Sequence, residues 1–149
     1  MFRYRLEPLL RYRKTLEDER KRGLAEANRR YYEELEKIDH MEHEKSAVMG
    51  EVTHMMQTAP DAGMLIFYDS YMKGVKTDIK YESEQAEQAL QIVDMERQKL
   101  IEAVKKKKII EAHREREWER YDAEESRKER IGADEMALMR FSRGYNPGA

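Results

Sequence analysis

An apolar heptad row constrains this chain more than any other feature. Every seventh residue from Leu65 reads Leu65, Met72, Ile79, Ala86, Val93 and Leu100, apolar at six consecutive places. Three residues on runs a second row of Tyr68, Val75, Glu82, Ala89, Glu96, Ala103 and Ile110, apolar at five of seven. Steps alternating between three and four keep one stripe of a helix turned toward one partner, the pattern of a coiled coil. The rest of the chain must supply the partner helix, the turn, and whatever extends beyond both.

The partner lies upstream. A helical pattern runs from Pro8, which suits a first helical turn because its missing N–H costs nothing there, to about Met56. Its inward positions read Leu9, Leu16, Leu24, Tyr31, Leu35, Ile38, Met41, Val48, Val52 and Met55, with Arg20 and Lys45 as charged interruptions. Arg13, Arg20 and Gly23 weaken the early seam, which predicts looser packing there or a surface meant for another protein. Between the helices stands Thr58-Ala59-Pro60-Asp61-Ala62-Gly63. Pro60 disfavours helix at Ala59, and Asp61 is suited to cap the second helix. A short connection makes the two helices antiparallel.

That pairing has an arithmetic consequence. Residues whose numbers add to about 119 should face one another, so Leu9 falls opposite Ile110. The first helix is then exhausted near residue 114, and roughly 25–28 residues of the second, Arg116–Phe141, overhang by about 40 Å at 1.5 Å per residue. Trp118 and Tyr121 stand near the base of the overhang; Ile131, Met136, Leu138, Met139 and Phe141 stand toward its end. Exposed apolar side chains on a single helix imply a partner. The expectation is an all-α fold, one antiparallel two-helix coiled-coil domain over residues 1–149. It has helix one at about 5–57, a turn at about 58–63, helix two at about 63–142 and a frayed tail at 143–149.

Composition narrows the function. Charged residues make up 40% of the chain and nearly cancel at a formal −2, which suits a long solvated helix pair with little core. Such a chain lacks the thick core that a deep enzyme cleft needs. It has no cysteine, and no nucleophile triad, phosphate loop or spaced carboxylate dyad appears. The expectation is no enzyme, no catalytic residues, no cofactor and no small-molecule substrate. No apolar run has the length of a membrane span, and Met1-Phe2-Arg3-Tyr4-Arg5 opens no signal sequence, so a cytoplasmic location is expected.

Other features read as surface. His40 and His43 with Glu44 have metal-ligand spacing on one helical face, but no second pair exists to complete a site. No metal is expected, and His54 and His113 are isolated. Lys105–Lys108 is spread by the helix around nearly its whole circumference, so it makes no single patch for phosphate. A basic nucleic-acid-binding helix is the alternative from a different class, and no nucleic-acid partner is expected. The ten methionines include Met49, Met55, Met56, Met64 and Met72 around the turn, where they suit packing, and Met136 and Met139 on the overhang, where they suit adaptable binding.

Three segments carry a resemblance. The opening Phe2-x-Tyr4-x-Leu6-x-x-Leu9-Leu10-x-x-Arg13, the post-turn Tyr68-x-x-Tyr71-x-x-x-Val75-x-x-x-Ile79, and Glu129-x-x-x-x-Asp134-Glu135-x-Ala137 followed by Arg140 together resemble the flagellar FliJ family. These are coiled-coil components of the flagellar type III protein export apparatus. The resemblance implies a fold similar to the gamma stalk of rotary ATPases. It implies three partners: the hexameric flagellar export ATPase, the cytoplasmic domain of the export gate membrane protein, and empty flagellar export chaperones that the protein escorts. It also implies a peripheral place at the inner-membrane export apparatus. An equivalent stalk of a virulence-type secretion system is the same-architecture alternative. Carried onto this sequence, the gate surface falls on Ile38, Met41, Tyr71, Val75 and Glu82. Lys45 departs from an aromatic position of the family, and Glu82 from a polar, often histidine, one. The ATPase surface falls on Phe2, Tyr4 and Arg13 at the N-terminal end and on Trp118, Tyr121, Met136, Met139 and Phe141 of the overhang.

Overall fold

The computed structural model describes residues 1–144. It contains two helices, α1 at Glu7–Thr58 and α2 at Ala62–Gly144. The fold is all-α, an antiparallel two-helix coiled coil. Helix α1 starts two residues later than the sequence pattern predicts, because Leu6 and its predecessors form a non-helical strap. Helix α2 starts one residue earlier than predicted and continues through residues 143 and 144, expected to fray. The remainder of the expected frayed tail lies outside the described residues.

The ends have local causes. The N–H of Glu7 donates to the Tyr4 carbonyl at 3.3 Å, closing the turn that launches α1. Glu7 also places a negative charge at the positive end of the helix dipole. At the other end, the Asp61 carboxylate accepts from the Gly63 N–H at 2.9 Å, the geometry of an N-cap on α2. No non-glycine or glycine residue among those described has positive φ. The turn is therefore made by Pro60 and Asp61, and Gly63 is an ordinary residue of the first turn of α2.

The chain divides into two compact units: Met1–Leu16 with the chain from Val104 onward, and Glu17–Ala103. In the second unit, α1 and α2 run antiparallel from the turn. The two predicted rows of α2 are buried or half-buried at every place from Tyr68 to Ala103. Val93 is 1% exposed, and burying a valine of this kind contributes about 1.5–3 kcal/mol. Leu65, the first member of the row, is 48% exposed; it stands in the first turn after the loop, before the seam begins.

On α1 the inward stripe passes through Ala27, Tyr31, Glu34, Ile38, Met41, Lys45, Val48, Val52 and Met56. This corrects two expectations: Leu35 and Met55 are exposed, and Glu34 and Met56 take their places. The alternation of threes and fours fixes the stripe, and a charged residue follows it when it falls there. Lys45 does so, its side chain 23% exposed beside Glu42.

The first unit is anchored by Leu10, 1% exposed, and Tyr4, also buried. No helix is long and apolar enough to cross a membrane among the described residues.

Candidate functional site

The N-terminal strap is built by its aromatic residues. Phe2, Tyr4 and Leu6 alternate with Arg3 and Arg5, so this non-helical segment turns Phe2 and Tyr4 onto α2 and leaves the arginines exposed. The Tyr4 hydroxyl lies 2.9 Å from His113 Nδ1 and 3.3 Å from the Ile110 carbonyl oxygen. Burial, reinforced by nearby Glu117, raises the Tyr4 phenol above its ordinary pKa, so it stays neutral and able to donate. The Phe2 ring packs at 5.5 Å on Tyr121 and 6.5 Å on Tyr4. The Met1 ammonium donates to the Tyr121 hydroxyl at 2.8 Å, and Glu7 pairs with Arg114 at 3.4 Å.

The strap changes the length of the overhang. Helix α1 ends its cover near Arg114, close to the predicted place, but residues 1–6 continue along α2 to Tyr121. The uncovered part of α2 therefore begins about two turns later than Arg116. Heptad counting cannot see this, because it follows helix and the strap is not helical.

The structure brings Phe2, Tyr4 and Tyr121 into one aromatic cluster, with Trp118 beside Phe2 across a cleft of about 320 Å³. Trp118 is 45% exposed. Arg13 is half-buried, its guanidinium 5.6 Å from the Tyr12 ring. Met136, Met139 and Phe141 are set apart from that cluster, further along α2, and all are well exposed. Leu138 and Ile131, one helical heptad apart, are exposed with them.

The turn-proximal candidates divide differently. Ile38, Met41, Val75 and Glu82 are half-buried in the seam. Tyr71 lines a mainly apolar groove of about 210 Å³ with Val48, Val52, Met55, Met64, Phe67 and Tyr68. Phe67 and Ile66, absent from the sequence-based set, are 77% and 72% exposed. The signal for them is the run Leu65-Ile66-Phe67, since three successive helical residues cannot share one inward stripe. Glu82 meets Glu34 across the seam: the tendency of the two carboxyls to hold one proton between them raises the Glu82 pKa and lowers that of Glu34, which Lys37 also holds ionised.

Other sequence features find partners within the helices. His40 pairs with Glu44 and His43 with Asp39, and no group able to hold a metal exists among the described residues. In the lysine run, Lys107 turns inward and reaches Glu111 at 3.9 Å.

The whole constellation of strap, capped turn and overhang accompanies a sequence match over residues 1–146 to the flagellar FliJ protein. The chain belongs to the FliJ family. FliJ proteins are non-enzymatic structural components of flagellar type III export, and this chain is one of them. Among solved structures it is similar to a putative YscO homolog from Chlamydia trachomatis, with a TM-score of 0.56 at 22% identity. That alignment covers 98% of this chain and 100% of the other. It shows the shared two-helix fold. No curated protein matches the chain.

Proposed function

We propose that this member of the FliJ family is the central stalk of the flagellar export ATPase. The observation that carries the reading is the exposed apolar end of α2, where Met136, Leu138, Met139 and Phe141 are each at least 59% exposed. A single helix with that surface suits insertion into an apolar-lined channel, and a hexameric ATPase ring supplies one. The aromatic strap joins the same end through Phe2, Tyr4, Trp118 and Tyr121, with Arg13 behind it. An asymmetric shaft in a ring touches subunits unequally, and so biases turnover without doing chemistry itself.

At the other end, the groove around Tyr71 and the neighbouring Ile38, Met41, Val75 and Glu82 are the surface for the cytoplasmic domain of the export gate. The protein thereby links ring to gate from the cytoplasm, held peripherally at the inner membrane, and escorts emptied export chaperones. The test is ATP turnover by the purified export ATPase with and without the full chain. Stimulation by the chain, lost when Met136, Met139 and Phe141 are together replaced by Ser, supports the stalk. Turnover unchanged by the wild-type chain, with no co-sedimentation, rejects it.

A further inference from the structure

The concave face formed by the strap, the first turns of α1 and Arg114 of α2 has a volume of about 670 Å³. Its walls carry four guanidinium groups, those of Arg3, Arg5, Arg11 and Arg114, against the single carboxylate of Glu7. Glu7 is already engaged by Arg114 at 3.4 Å. Arg3, Arg5 and Arg11 are exposed and have no ion-pair partner among the described residues.

Along the helices, by contrast, helical spacing does supply carboxylates three or four residues away, as for Arg29 with Glu26 and Glu33, Arg97 with Asp94, and Lys128 with Glu125. The concentration of guanidinium groups on one face has a sequence cause. Residues 1–14 hold five basic side chains and one acidic one, while the whole chain is slightly negative. Arg3 and Arg5 lie on the non-helical strap, where no helical spacing supplies a partner. For Arg11, the carboxylate at the right helical distance is Glu7, which faces Arg114 instead.

We propose that this arginine-lined concavity binds a short carboxylate-rich segment of a protein partner. The proposal rests on the stalk reading and names the chemistry of that contact as an acidic loop of the ATPase ring. Guanidinium groups take planar carboxylates in paired hydrogen bonds, and a concave set of them favours a compact cluster of Asp and Glu over a single charge. Phe2 and Pro8 in the same wall offer apolar surface to the methylenes of such a segment. A continuous phosphate polymer fits less well. Glu7, and Glu117 on the neighbouring face of the strap, interrupt the positive surface, and a polyanion tracking along it would meet them.

The experiment compares the full-length chain with its R3Q/R5Q/R11Q variant, both checked for helix content by circular dichroism. Affinity for the purified export ATPase is measured across a salt series, with polyglutamate as competitor. The variant should bind roughly tenfold more weakly at low salt and show a shallower salt dependence. Polyglutamate should displace the wild type and leave the residual binding of the variant unchanged. Equal affinity and salt slope for both chains overturns the acidic-segment proposal and leaves the stalk reading standing. Absence of wild-type binding overturns both. Loss in the variant of binding to duplex DNA or to anionic phosphatidylglycerol vesicles, with ATPase affinity unchanged, also overturns it, by assigning the face to a polyanion.

Discussion

Glu34 and Glu82 bring their carboxyl groups together across the seam of the second unit. Two carboxyl groups can share a hydrogen bond only while one holds a proton. Lys37 decides which, because its Nζ lies 3.1 Å from Glu34 Oε1 and favours the ionised form there. Oε2 of Glu34 and Oε2 of Glu82 are both buried with no donor of their own, a cost that a proton held on Glu82 relieves. The other charged group near this set is Glu33, which acts on Lys37.

The pH dependence of the pair has two limbs. Glu82 is raised above the usual glutamate value of 4.5, so its contribution is complete below that value and is lost as pH rises through its folded pKa. Glu34 is lowered, so its contribution is present above 4.5 and is lost as pH falls through its own folded pKa. The pair is strongest between the two, and above the folded pKa of Glu82 it leaves two like charges facing each other. Glu82→Gln replaces the shared proton with an amide donor at every pH. The variant should melt a few degrees higher than wild type at pH 7 and lose that advantage near pH 4.5. A thermal midpoint at pH 7 no higher than wild type contradicts the pairing.

Two helical glycines should respond differently to alanine. A Cβ at Gly74 meets nothing within 4 Å, so Gly74→Ala should gain the helix-propensity difference of about 1 kcal/mol. At Gly23 the new Cβ would stand 2.8 Å from a carboxylate oxygen of Glu96, whose other oxygen accepts from Lys99 at 3.1 Å. That carboxylate is the far end of a flexible side chain, so it can move, but its ion pair is disturbed. Gly23→Ala should therefore gain roughly half as much or less. Urea denaturation of both variants checks the order, and a larger gain at Gly23 would be inconsistent with the contact.

The strap should loosen when its hydroxyl anchor is removed. Tyr4→Phe keeps the ring against His113 at 5.7 Å but deletes the contacts to His113 Nδ1 and the Ile110 carbonyl. Amide exchange in residues 2–10 should quicken several-fold, with exchange in the second unit unchanged. Tyr4→Ala, which also removes the ring, should quicken it further. Equal protection in wild type and Tyr4→Phe places the anchor elsewhere, on Phe2 and Tyr121.

The coiled coil was legible because a stripe of threes and fours is a geometric demand: every row position from Tyr68 to Ala103 is buried or half-buried, and all but Glu82 and Glu96 are apolar. The turn was legible too: Pro60 and Asp61 each act through a local mechanism. Polarity misled at Glu34 and Leu35, where hydrophobicity favoured the leucine and the helical stripe selected the glutamate. The carboxyl pair that makes this tolerable needs Glu82 on the other helix, and periodicity read along one helix at a time cannot join them. The strap was hidden for another reason. Its cover of α2 depends on Phe2 and Tyr4 folding back on Tyr121 and His113, contacts more than a hundred residues apart in sequence. Of the site, the aromatic cluster assembled from residues the sequence had singled out, whereas Phe67 and Ile66 emerged only from the place where the seam begins.

Trp118 gives a direct report on the overhang. It is the chain's single tryptophan, about half exposed, beside Phe2 and Arg114 at the point where the strap ends. If the base of the overhang enters the ATPase ring, its indole moves from a wet cleft into protein contact. Incorporating 5-fluorotryptophan into this chain alone makes the fluorine resonance specific to Trp118, whatever tryptophans the ring contains. Adding the ring should broaden and shift that resonance, and the change should saturate with binding. Replacing Met136, Met139 and Phe141 by Ser should move the midpoint of the titration to higher ring concentration by roughly tenfold or more, the behaviour of buried apolar anchors. A resonance that stays sharp and unshifted while the ring co-sediments with the chain would place the contact away from the strap and the base of α2's free end.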